Sequence, residues 1–418
     1  MRILLSAYAC RPNAGSEPGF GWNWATHLAA RGFDVHVLVA KRNQEPIEAG
    51  LRANSIANLC FTYISVPWEW AKISEALHYV VWQFAALKAA RELALKVDFD
   101  LIHHVTYGSV HVPSQLWRLG IPVVFGPVGG GQTAPASMLK YFGGGKYTER
   151  LRSSATKLLK SSPVHRQWLR RMNVILAANN ETLNLVRTLG CKNSRVMCDT
   201  AIPVDCFADA PRSYEKSGEA LRLLWVGRML ARKALPLALD ALKEVHENVT
   251  LTIAGDGLAP QIVHNMIRDR NLQQRVTWKG SRLTFEELQT AYAEHDALLF
   301  SSLRDSFGSQ LLEAMAMGLP IITLDLHGAH DFLPDSASLK VPVGSPDETV
   351  RSLASAITQL ASLSVAKRDQ MSMHAWNFAK TLSWPARLEV IEKLYAEVLS
   401  RATSLETASA SKAAVEVV

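Results

Sequence analysis

The sequence predicts an α/β protein with two doubly wound domains that face a central cleft. Short apolar runs with the spacing of buried strands alternate with helical patterns along residues 2–178, and a second alternation starts at residue 221. Between the two series, residues 206–220 are polar, contain Pro and Gly, and lack periodicity, which is typical of a linker. The length of 418 residues is also sufficient for two such domains.

The strands and helices follow from these runs. In the first series, strands are predicted at residues 2–8, 33–40, 60–65, 100–105, 121–126 and 174–178, with a long helix over 68–96. In the second series, strands are predicted at residues 221–227, 249–255, 275–279, 297–300 and 320–324. The helices between them are predicted at residues 231–246, 258–271, 284–293 and 308–318.

The predicted domains are residues 1–205 and 221–380, joined by the linker at 206–220. Helical patterns then continue, and a break at Trp384-Pro385 separates a last helix over 384–401. We expect this helix to cross back onto the first domain. Residues 402–418 are small and polar, and this composition predicts a disordered tail.

The net charge, the cysteine count and the lengths of the apolar runs limit the partners and the cellular location that we expect for the protein. The formal net charge of +7 and the pI of about 9.1 favour phosphate-bearing ligands or an anionic membrane surface. No zinc-finger spacing, RNA-binding aromatic signature or basic region with heptads is present, so no nucleic acid partner is expected. The five cysteines form no CxxC pair, and no signal peptide or long apolar run is found. These features predict a cytoplasmic protein with reduced thiols.

The stretch 301–320 carries the most chemical information. It follows the predicted strand 297–300 and reads as a tight turn that opens a helix. Gly308 lets the backbone approach a ligand, and the free amides of the first helical turn favour anions. With Asp305 in the turn and Glu313 on the helix, the stretch suits a ligand that has both hydroxyls and phosphates, such as a nucleotide sugar. The alternative is an ordinary strand–loop–helix unit.

A second candidate site opens the second domain. Gly227 ends the first strand of that domain, and Arg228 and Lys233 follow on the loop and the first helical turn. Two cations at this position can flank a diphosphate through charge-assisted hydrogen bonds. Taken alone, a solvated basic surface explains the same pattern.

Several motifs occur together in a familiar order. Gly227-Arg228 with Lys233, IAGDG at 253–257, WKGS at 278–281, and Asp305-x7-Glu313 with Phe-Gly between them follow one another. This order and spacing resembles the retaining glycosyltransferases of the GT-B fold, family 4. In the first domain, the loop NAGSEPGFGWNWA and the stretch FGPVGGG resemble a subgroup that includes bacterial exopolysaccharide and lipopolysaccharide sugar transferases.

The resemblance implies roles for individual residues. Arg228 and Lys233 would bind the donor diphosphate and neutralise the departing nucleotide, and Glu313 would hold the ribose hydroxyls. Asp305 would contact the sugar, which makes Arg228, Lys233 and Asp305 the catalytic set. The rest of the donor site implied by the resemblance consists of Gly15, Ser16, Gly227, Lys279, Gly280 and the backbone amides of Phe307, Gly308 and Ser309.

The same resemblance implies the reaction. A UDP- or GDP-sugar would donate its sugar, with retention and without a metal, to a hydroxyl of a glycan or lipid-linked acceptor. His327 and His330 have the spacing of a metal pair, but no third ligand is evident, so no metal site is predicted. On the acceptor side we expect Glu17, Gly129, and one of the adjacent His103 and His104, whose alternative role is in the core.

Two positions depart from the family pattern. The first acidic residue is Asp305, where the family usually has the longer Glu. Pro127 stands near the place where family members often have a His. A nucleotide-sugar-binding or scaffold protein without catalysis is therefore an alternative, and a GT-B nucleotide-sugar epimerase is another.

Residues 140–172 form a basic amphipathic stretch. They hold nine Lys or Arg and one Glu, interleaved with Leu and Trp. Such a stretch suggests contact with anionic lipid at the inner face of the cytoplasmic membrane, and a solvated insertion explains it equally well. Trp68, Trp70 and Trp82 could help to anchor the chain, although buried helix packing is the better interpretation.

Overall fold

The computed structural model describes residues 1–66, 74–215, 220–280 and 283–415, with side chains described as far as residue 404. Its strands form two parallel sheets, one in each half of the chain, and helices pack against both faces of each sheet. The fold class predicted from the sequence is therefore confirmed.

The first domain contains a sheet of seven described strands in the order β3-β2-β1-β4-β5-β6-β7. In chain order these are β1 (Arg2–Ala7), β2 (Asp34–Ala40), β3 (Leu59–Ile64), β4 (Leu101–Thr106), β5 (Val123–Val128), β6 (Val174–Ala177) and β7 (Ser194–Val196). The helices are α1 (Ser16–Ala30), α2 (Gln44–Ala53), α3 (Glu75–Ala94), α4 (Lys146–Leu159), α5 (Pro163–Leu169) and α6 (Asn180–Thr188). The predictions missed β7, because three residues are too few to show a period.

Strand β1 shows why this sheet is covered on both faces. Successive side chains of a strand point to opposite faces. Ile3 and Leu5 pack into one core with Leu28 of α1, and Leu4 packs into the other core with Trp82 of α3. Trp82 is fully buried, as the packing interpretation required. Trp68 and Trp70 lie outside the described residues.

The second domain contains a sheet of six described strands in the order β10-β9-β8-β11-β12-β13. These are β8 (Leu221–Val226), β9 (Val249–Ala254), β10 (Val276–Trp278), β11 (Ala297–Phe300), β12 (Ile321–Leu324) and β13 (Ser338–Val341). The helices that follow are α7 (Leu235–Lys243), α8 (Pro260–Arg268), α9 (Phe285–Glu294), α10 (Ser309–Ala316), α11 (His327–Phe332), α12 (Pro346–Ser362) and α13 (Val365–Thr381). A short 3₁₀ turn, Ala231–Lys233, precedes α7.

The polar stretch predicted as a linker is partly fixed to the second domain. The Tyr214 side chain is buried, and its hydroxyl donates to the carbonyl of Asp296 at 2.6 Å. Arg212 forms an ion pair with the Asp296 carboxylate at 2.9 Å. The described part of residues 206–220 is therefore held by specific contacts, although its composition is that of a loop.

The last helix, α14 (Trp384–Val415), crosses back onto the first domain as predicted. The ring of Trp384 packs edge-on against Trp24 of α1, with centroids 5.1 Å apart. Residues 402–415, whose composition predicts a disordered tail, continue the backbone of this helix. The tail contains Ala, Glu and Lys, which are good helix formers, and it continues a helix that packing has already nucleated.

Candidate active site between the domains

The turn between β11 and α10 forms the second-domain side of the cleft. Gly308 has a φ of 104°, and a Cβ at this position would come within 2.8 Å of the Phe300 ring. Both facts require glycine here. The Phe307 side chain is 1% exposed and packs edge-on against Phe332. Phe307 can therefore reach a donor through its backbone alone, together with the amides of Gly308 and Ser309.

Asp305 sits in this turn with two cations. Its carboxylate forms an ion pair with the Lys233 ammonium, and Arg232 Nη1 donates to its Oδ2 at 3.0 Å. Burial raises the pKa of Asp305, but the charges of Lys233 and Arg232 outweigh burial and lower the pKa to about 2. Asp305 is therefore a fixed anion at neutral pH. The sequence analysis did not identify Arg232, whose signal is its position next to Lys233.

The two predicted phosphate-binding cations differ in their surroundings. Lys233 is 5% exposed, and its ammonium lies 4.9 Å from the centroid of the Phe300 ring. Burial lowers the pKa of Lys233, and the charge of Asp305 opposes that effect. Arg228 is exposed, and among the described residues its side chain has no hydrogen bond or ion pair. Arg228 is therefore free to meet a ligand, whereas Lys233 is held in position.

Glu313 lies on α10, half-buried beside the same turn. Its Oε2 accepts a hydrogen bond from the Tyr292 hydroxyl at 2.8 Å. Burial raises the pKa of Glu313, while its hydrogen bonds to Tyr292 and Ser309 oppose that rise. Tyr292 was not predicted, because its helical pattern is that of an ordinary core residue.

Three other predicted donor residues are spread along the carboxyl edge of the sheet. Gly227 follows β8 with a φ of 150°. Lys279 and Gly280 follow β10, which is the edge strand. Because neighbouring strands lie about 4.8 Å apart, β10 is about 14 Å from β11. A ligand that reaches from Asp305 to Lys279 must therefore be long.

The loop after β1 provides the first-domain side. Gly15 precedes α1, and Ser16 is exposed with a φ of 58°. Both carboxylate oxygens of Glu17 lie 3.4 Å from the backbone amide of Gly108, which donates to them. Burial raises the pKa of Glu17 to about 8, and the charge of Asp199 adds to this rise. Glu17 is therefore largely protonated at neutral pH.

Asp199 is a further cleft residue that sequence reasoning missed. It follows the short strand β7, and its Oδ1 accepts from the Thr200 hydroxyl at 3.2 Å. Burial, followed by the charge of Asp305 in the other domain, raises the pKa of Asp199 to about 6. Asp199 therefore faces the second-domain turn that carries Asp305 and Ser306.

The expected acceptor role of His103 and His104 was wrong, since both side chains are fully buried. The His103 ring lies 2.6 Å from both the Tyr395 hydroxyl and the carbonyl of Gly126. The His104 ring lies 3.0 Å from the Tyr79 hydroxyl. Burial lowers their pKa values to about 3 and about 4, so both are neutral core residues. The strand does end at the cleft edge, but helices α14 and α3 cover these side chains.

The two domains touch across the cleft at Ser306. Gln132 Nε2 donates to the Ser306 hydroxyl at 3.1 Å. A Cβ at Gly129 would come within 2.6 Å of that hydroxyl, so the predicted acceptor-side glycine lies against the donor turn. His327 also crosses the boundary, because its Nδ1 lies 2.7 Å from Oε1 of Glu181. Among the described residues, no group of three or more His, Cys, Asp or Glu side chains has the arrangement of a metal site.

Both halves of the chain match glycosyltransferase family models. Residues 22–198 match the model described as Glycosyltransferase Family 4, and residues 220–362 match Glycosyl transferases group 1. The yeast Saccharomyces cerevisiae phosphatidylinositol N-acetylglucosaminyltransferase GPI3 subunit is 26% identical over 195 residues. That match covers 46% of this chain and 42% of the yeast protein, so the chain spans less than half the length of this relative.

Solved structures share the architecture along nearly the whole chain. Sucrose-phosphate synthase from Thermosynechococcus elongatus has a TM-score of 0.68 at 18% identity, covering 96% of this chain and 99% of its own. Anabaena HepE in complex with UDP and glucose has a TM-score of 0.61 at 14% identity, covering 95% and 100%. Two facing Rossmann-like domains with a ligand cleft between them define the GT-B architecture. This chain has that architecture, and its two halves carry the two glycosyltransferase family domains that the models match.

Proposed function

We propose that the protein is a retaining glycosyltransferase that moves a hexosyl group from a UDP- or GDP-sugar to a hydroxyl acceptor. The observation that carries the proposal is the grouping of Lys233, Asp305 and Glu313 at the turn that opens α10. The exposed Arg228 follows Gly227, where an added Cβ would lie 3.8 Å from Gln310 of that helix. Cations can bind the diphosphate of such a donor, and carboxylates can accept hydrogen bonds from its sugar and ribose hydroxyls. The solved relative with UDP and glucose supports this donor class.

In the proposed mechanism, the protein stabilises charge on the leaving nucleotide. As the bond to the sugar breaks, negative charge builds on the diphosphate, and Arg228 and Lys233 stabilise it through charge-assisted hydrogen bonds. Asp305 holds Lys233 in place and stays anionic, so it can accept hydrogen bonds from sugar hydroxyls. Front-face attack by the acceptor, with retention, needs no protein nucleophile, and we expect no metal requirement.

A binding experiment tests the donor assignment first. UDP, GDP, ADP and dTDP, and their glucose forms, are screened by thermal shift on the wild type, on Glu313→Ala and on the exposed control Glu286→Ala. A ligand at about 100 times its Kd stabilises the folded state by roughly 2.7 kcal/mol. We expect one nucleotide to stabilise the wild type and the control but not Glu313→Ala. Equal stabilisation of all three proteins would reject the ribose role.

A turnover experiment separates the proposal from its alternatives. Arg228→Gln should lower kcat by about a hundredfold or more, with unfolding unchanged because the side chain is exposed. The exposed Arg166→Gln serves as the charge-matched control. Near-normal turnover of Arg228→Gln would remove Arg228 from the mechanism. A binding protein would bind donor without consuming it, and an epimerase would release a free sugar epimer without any acceptor.

We also propose that the acceptor is a glycan or glycolipid of a cell-surface polymer, reached by peripheral contact with an anionic membrane. Helix α4 exposes Tyr147, Leu151 and Leu158, at 66%, 73% and 73%, beside the exposed cations Arg150 and Lys157. An exposed apolar row flanked by cations fits the headgroup region of an anionic bilayer. The yeast relative, whose name specifies a phosphatidylinositol acceptor, is compatible with this acceptor class.

This contact involves only part of the predicted stretch 140–172. Tyr141 and Phe142 are buried in the core of the second domain, with Met138 beside them. No helix among the described residues is both long and apolar enough to cross a bilayer. The contact would therefore be made by the outer face of α4 alone.

Liposome flotation tests the membrane proposal. The double variant Leu151→Asp/Leu158→Asp should lose flotation with anionic vesicles, whereas the control Leu95→Asp should float like the wild type. Leu95 is 88% exposed, and it lies just after α3. No flotation of the wild type at low salt, or unchanged flotation of the double variant, would reject the contact.

A further inference from the structure

Three arginines from three separate segments meet at the edge of the cleft. Arg152 lies on α4 of the first domain, Arg232 lies in the 3₁₀ turn before α7, and Arg304 lies in the β11–α10 turn. The proposed mechanism uses none of them. We call these three residues the arginine cluster.

Hydrogen bonds and an ion pair fix the position of the cluster. Arg304 forms an ion pair with Glu149, one turn before Arg152 on α4, with Nε and Oε1 2.8 Å apart. Arg232 Nη1 donates to the carbonyl of Arg304 at 3.2 Å. Arg152 Nη1 donates to the carbonyl of Gln132 at 3.3 Å. The side chain of Gln132 in turn reaches Ser306, so the cluster borders the turn that carries Asp305.

The cluster has more positive than negative charge. Its cations, counted with Lys233, number four, and the carboxylates that face them are Glu149 and Asp305. Glu149 is paired with Arg304, and Asp305 is shared by Arg232 and Lys233. Arg152 forms no ion pair within the part of the chain that the structure describes. Burial, and then the charge of Arg304, lowers the pKa of Arg152 to about 10.

A guanidinium group without an ion-pair partner in a half-buried place, here that of Arg152, costs free energy unless an anion joins it. Each guanidinium group can donate two parallel N–H hydrogen bonds, and the oxygens of a phosphate or carboxylate group accept such pairs. Three guanidinium groups that approach from different directions therefore suit an anion of this kind. The cluster therefore has the composition of an anion site. Arg228 takes part in none of the contacts that hold the cluster. The cluster is therefore a second set of cations beside Arg228 and Lys233, which are proposed to bind the nucleotide sugar.

We propose that the arginine cluster binds a phosphate or carboxylate group of the acceptor, next to the hydroxyl that receives the sugar. Arg152 comes from the first domain, opposite the donor-binding turn, and Ser306 marks the point where the two domains meet. The outer face of the same helix carries Leu151 and Leu158. An acceptor held at a membrane surface would therefore pass the cluster as it enters the cleft. This inference rests on the proposed function and narrows its acceptor class.

Inorganic phosphate is the probe for the first experiment. Its binding is measured by thermal shift and calorimetry at constant ionic strength, with chloride replaced by phosphate. The proteins are the wild type, Arg152→Gln, Arg304→Gln, the donor-site variant Arg228→Gln and the control Arg166→Gln. We expect Arg152→Gln and Arg304→Gln each to weaken phosphate binding about tenfold or more. Arg228→Gln and Arg166→Gln should still bind phosphate at the arginine cluster.

Two outcomes would overturn the inference at this stage. One is absence of phosphate binding to the wild type, and the other is equal affinity in all five proteins. Arg152→Lys keeps the charge and loses the fork, so we expect an intermediate affinity. If Arg152→Gln fails to fold, Arg304→Gln and Arg152→Lys still provide the comparison.

A second arm distinguishes acceptor from donor as the source of the anion. UDP-glucuronate and UDP-glucose are compared on the wild type and on Arg152→Gln. If Arg152→Gln weakens the binding of UDP-glucuronate but not that of UDP-glucose, the cluster binds a carboxylate on the donor sugar, and the acceptor assignment is overturned. Equal effects on both donors, with phosphate binding retained in the presence of saturating nucleotide, support the acceptor. Absence of any nucleotide binding, with cluster-dependent phosphate binding intact, would instead count against the proposed transferase.

Discussion

His327 of the second domain and Glu181 of the first are joined by a contact of 2.7 Å between Nδ1 and Oε1. A second contact lies beside it, because the backbone amide of Asn180 donates to the Asp331 carboxylate at 2.6 Å. These contacts join α6 of the first domain to α11 of the second, so they favour a closed arrangement of the two domains over an open one.

Replacing His327 with Gln should favour the open arrangement. One partly exposed hydrogen-bonded pair contributes about 1 kcal/mol, which is roughly a fivefold shift in the closed-to-open ratio. The radius of gyration of the ligand-free protein, measured by X-ray scattering, should increase. His330→Gln is the matched control, since His330 pairs with Asp325 of its own domain at 2.8 Å. A radius unchanged from wild type in His327→Gln would show that other contacts hold the domains.

Replacing Lys233 with Met should destabilise the second domain. The substitution leaves the Asp305 carboxylate with Arg232 as its ion-pair partner, and breaking a buried pair costs about 3 kcal/mol or more. Urea unfolding measures this loss. In the double variant Lys233→Met/Asp305→Leu neither charge remains, so we expect it to recover most of the stability while remaining inactive. If Lys233→Met is as stable as the wild type, the ion pair between Lys233 and Asp305 contributes little to the free energy of unfolding.

Glu17 should make stability depend on pH. Its folded-state pKa is raised to about 8, so the folded state holds a proton that the unfolded state has released. The stabilising effect is complete below the ordinary carboxyl pKa and is lost as pH rises through about 8. The unfolding temperature of the wild type should therefore fall between about pH 5 and about pH 9. Glu17→Gln should flatten that decline. An equal decline in both proteins would show that another group causes the pH dependence.

Substitution of Gly308 by Ala should combine two penalties. The positive φ strains any side chain, and the added Cβ would lie 2.8 Å from the Phe300 ring. Gly32→Ala isolates the first penalty, because Gly32 has a φ of 95° and no atom within 4 Å of an added Cβ. We expect Gly32→Ala to cost about 1 kcal/mol and Gly308→Ala about 2 kcal/mol or more, with loss of donor binding. Equal unfolding temperatures would show that Phe300 simply moves aside.

The sequence was most informative where the chemistry is local. Asp305, Gly308 and Glu313 lie within nine residues of one another, so their spacing predicted a shared turn and helix. Arg232 and Asp199 were missed, because their proximity to Asp305 depends on how distant segments and separate domains meet. No period or motif in a single sequence records such a meeting.

The error at His103 has the same origin. His103 lies inside β4 rather than at its end, and its partner Tyr395 lies 292 residues later in the chain. Helix propensity alone also could not decide the tail, since isolated helices of that length are marginal and depend on a packed segment to start them. In both cases the deciding contact comes from α14, which supplies Tyr395 as the partner of His103 and the packed segment that the tail continues.

The path of α14 has a consequence for the order in which the protein is made. Ile391 and Tyr395 are buried in the same core as Ile3 and Leu5, at the opposite end of the chain. During translation the first sheet leaves the ribosome early, but one of its faces is covered only in part, by α1, until those last residues have emerged. The amino-terminal half is thus synthesised first and completed last. In the interval the uncovered part of this apolar face would be the surface that a chaperone protects.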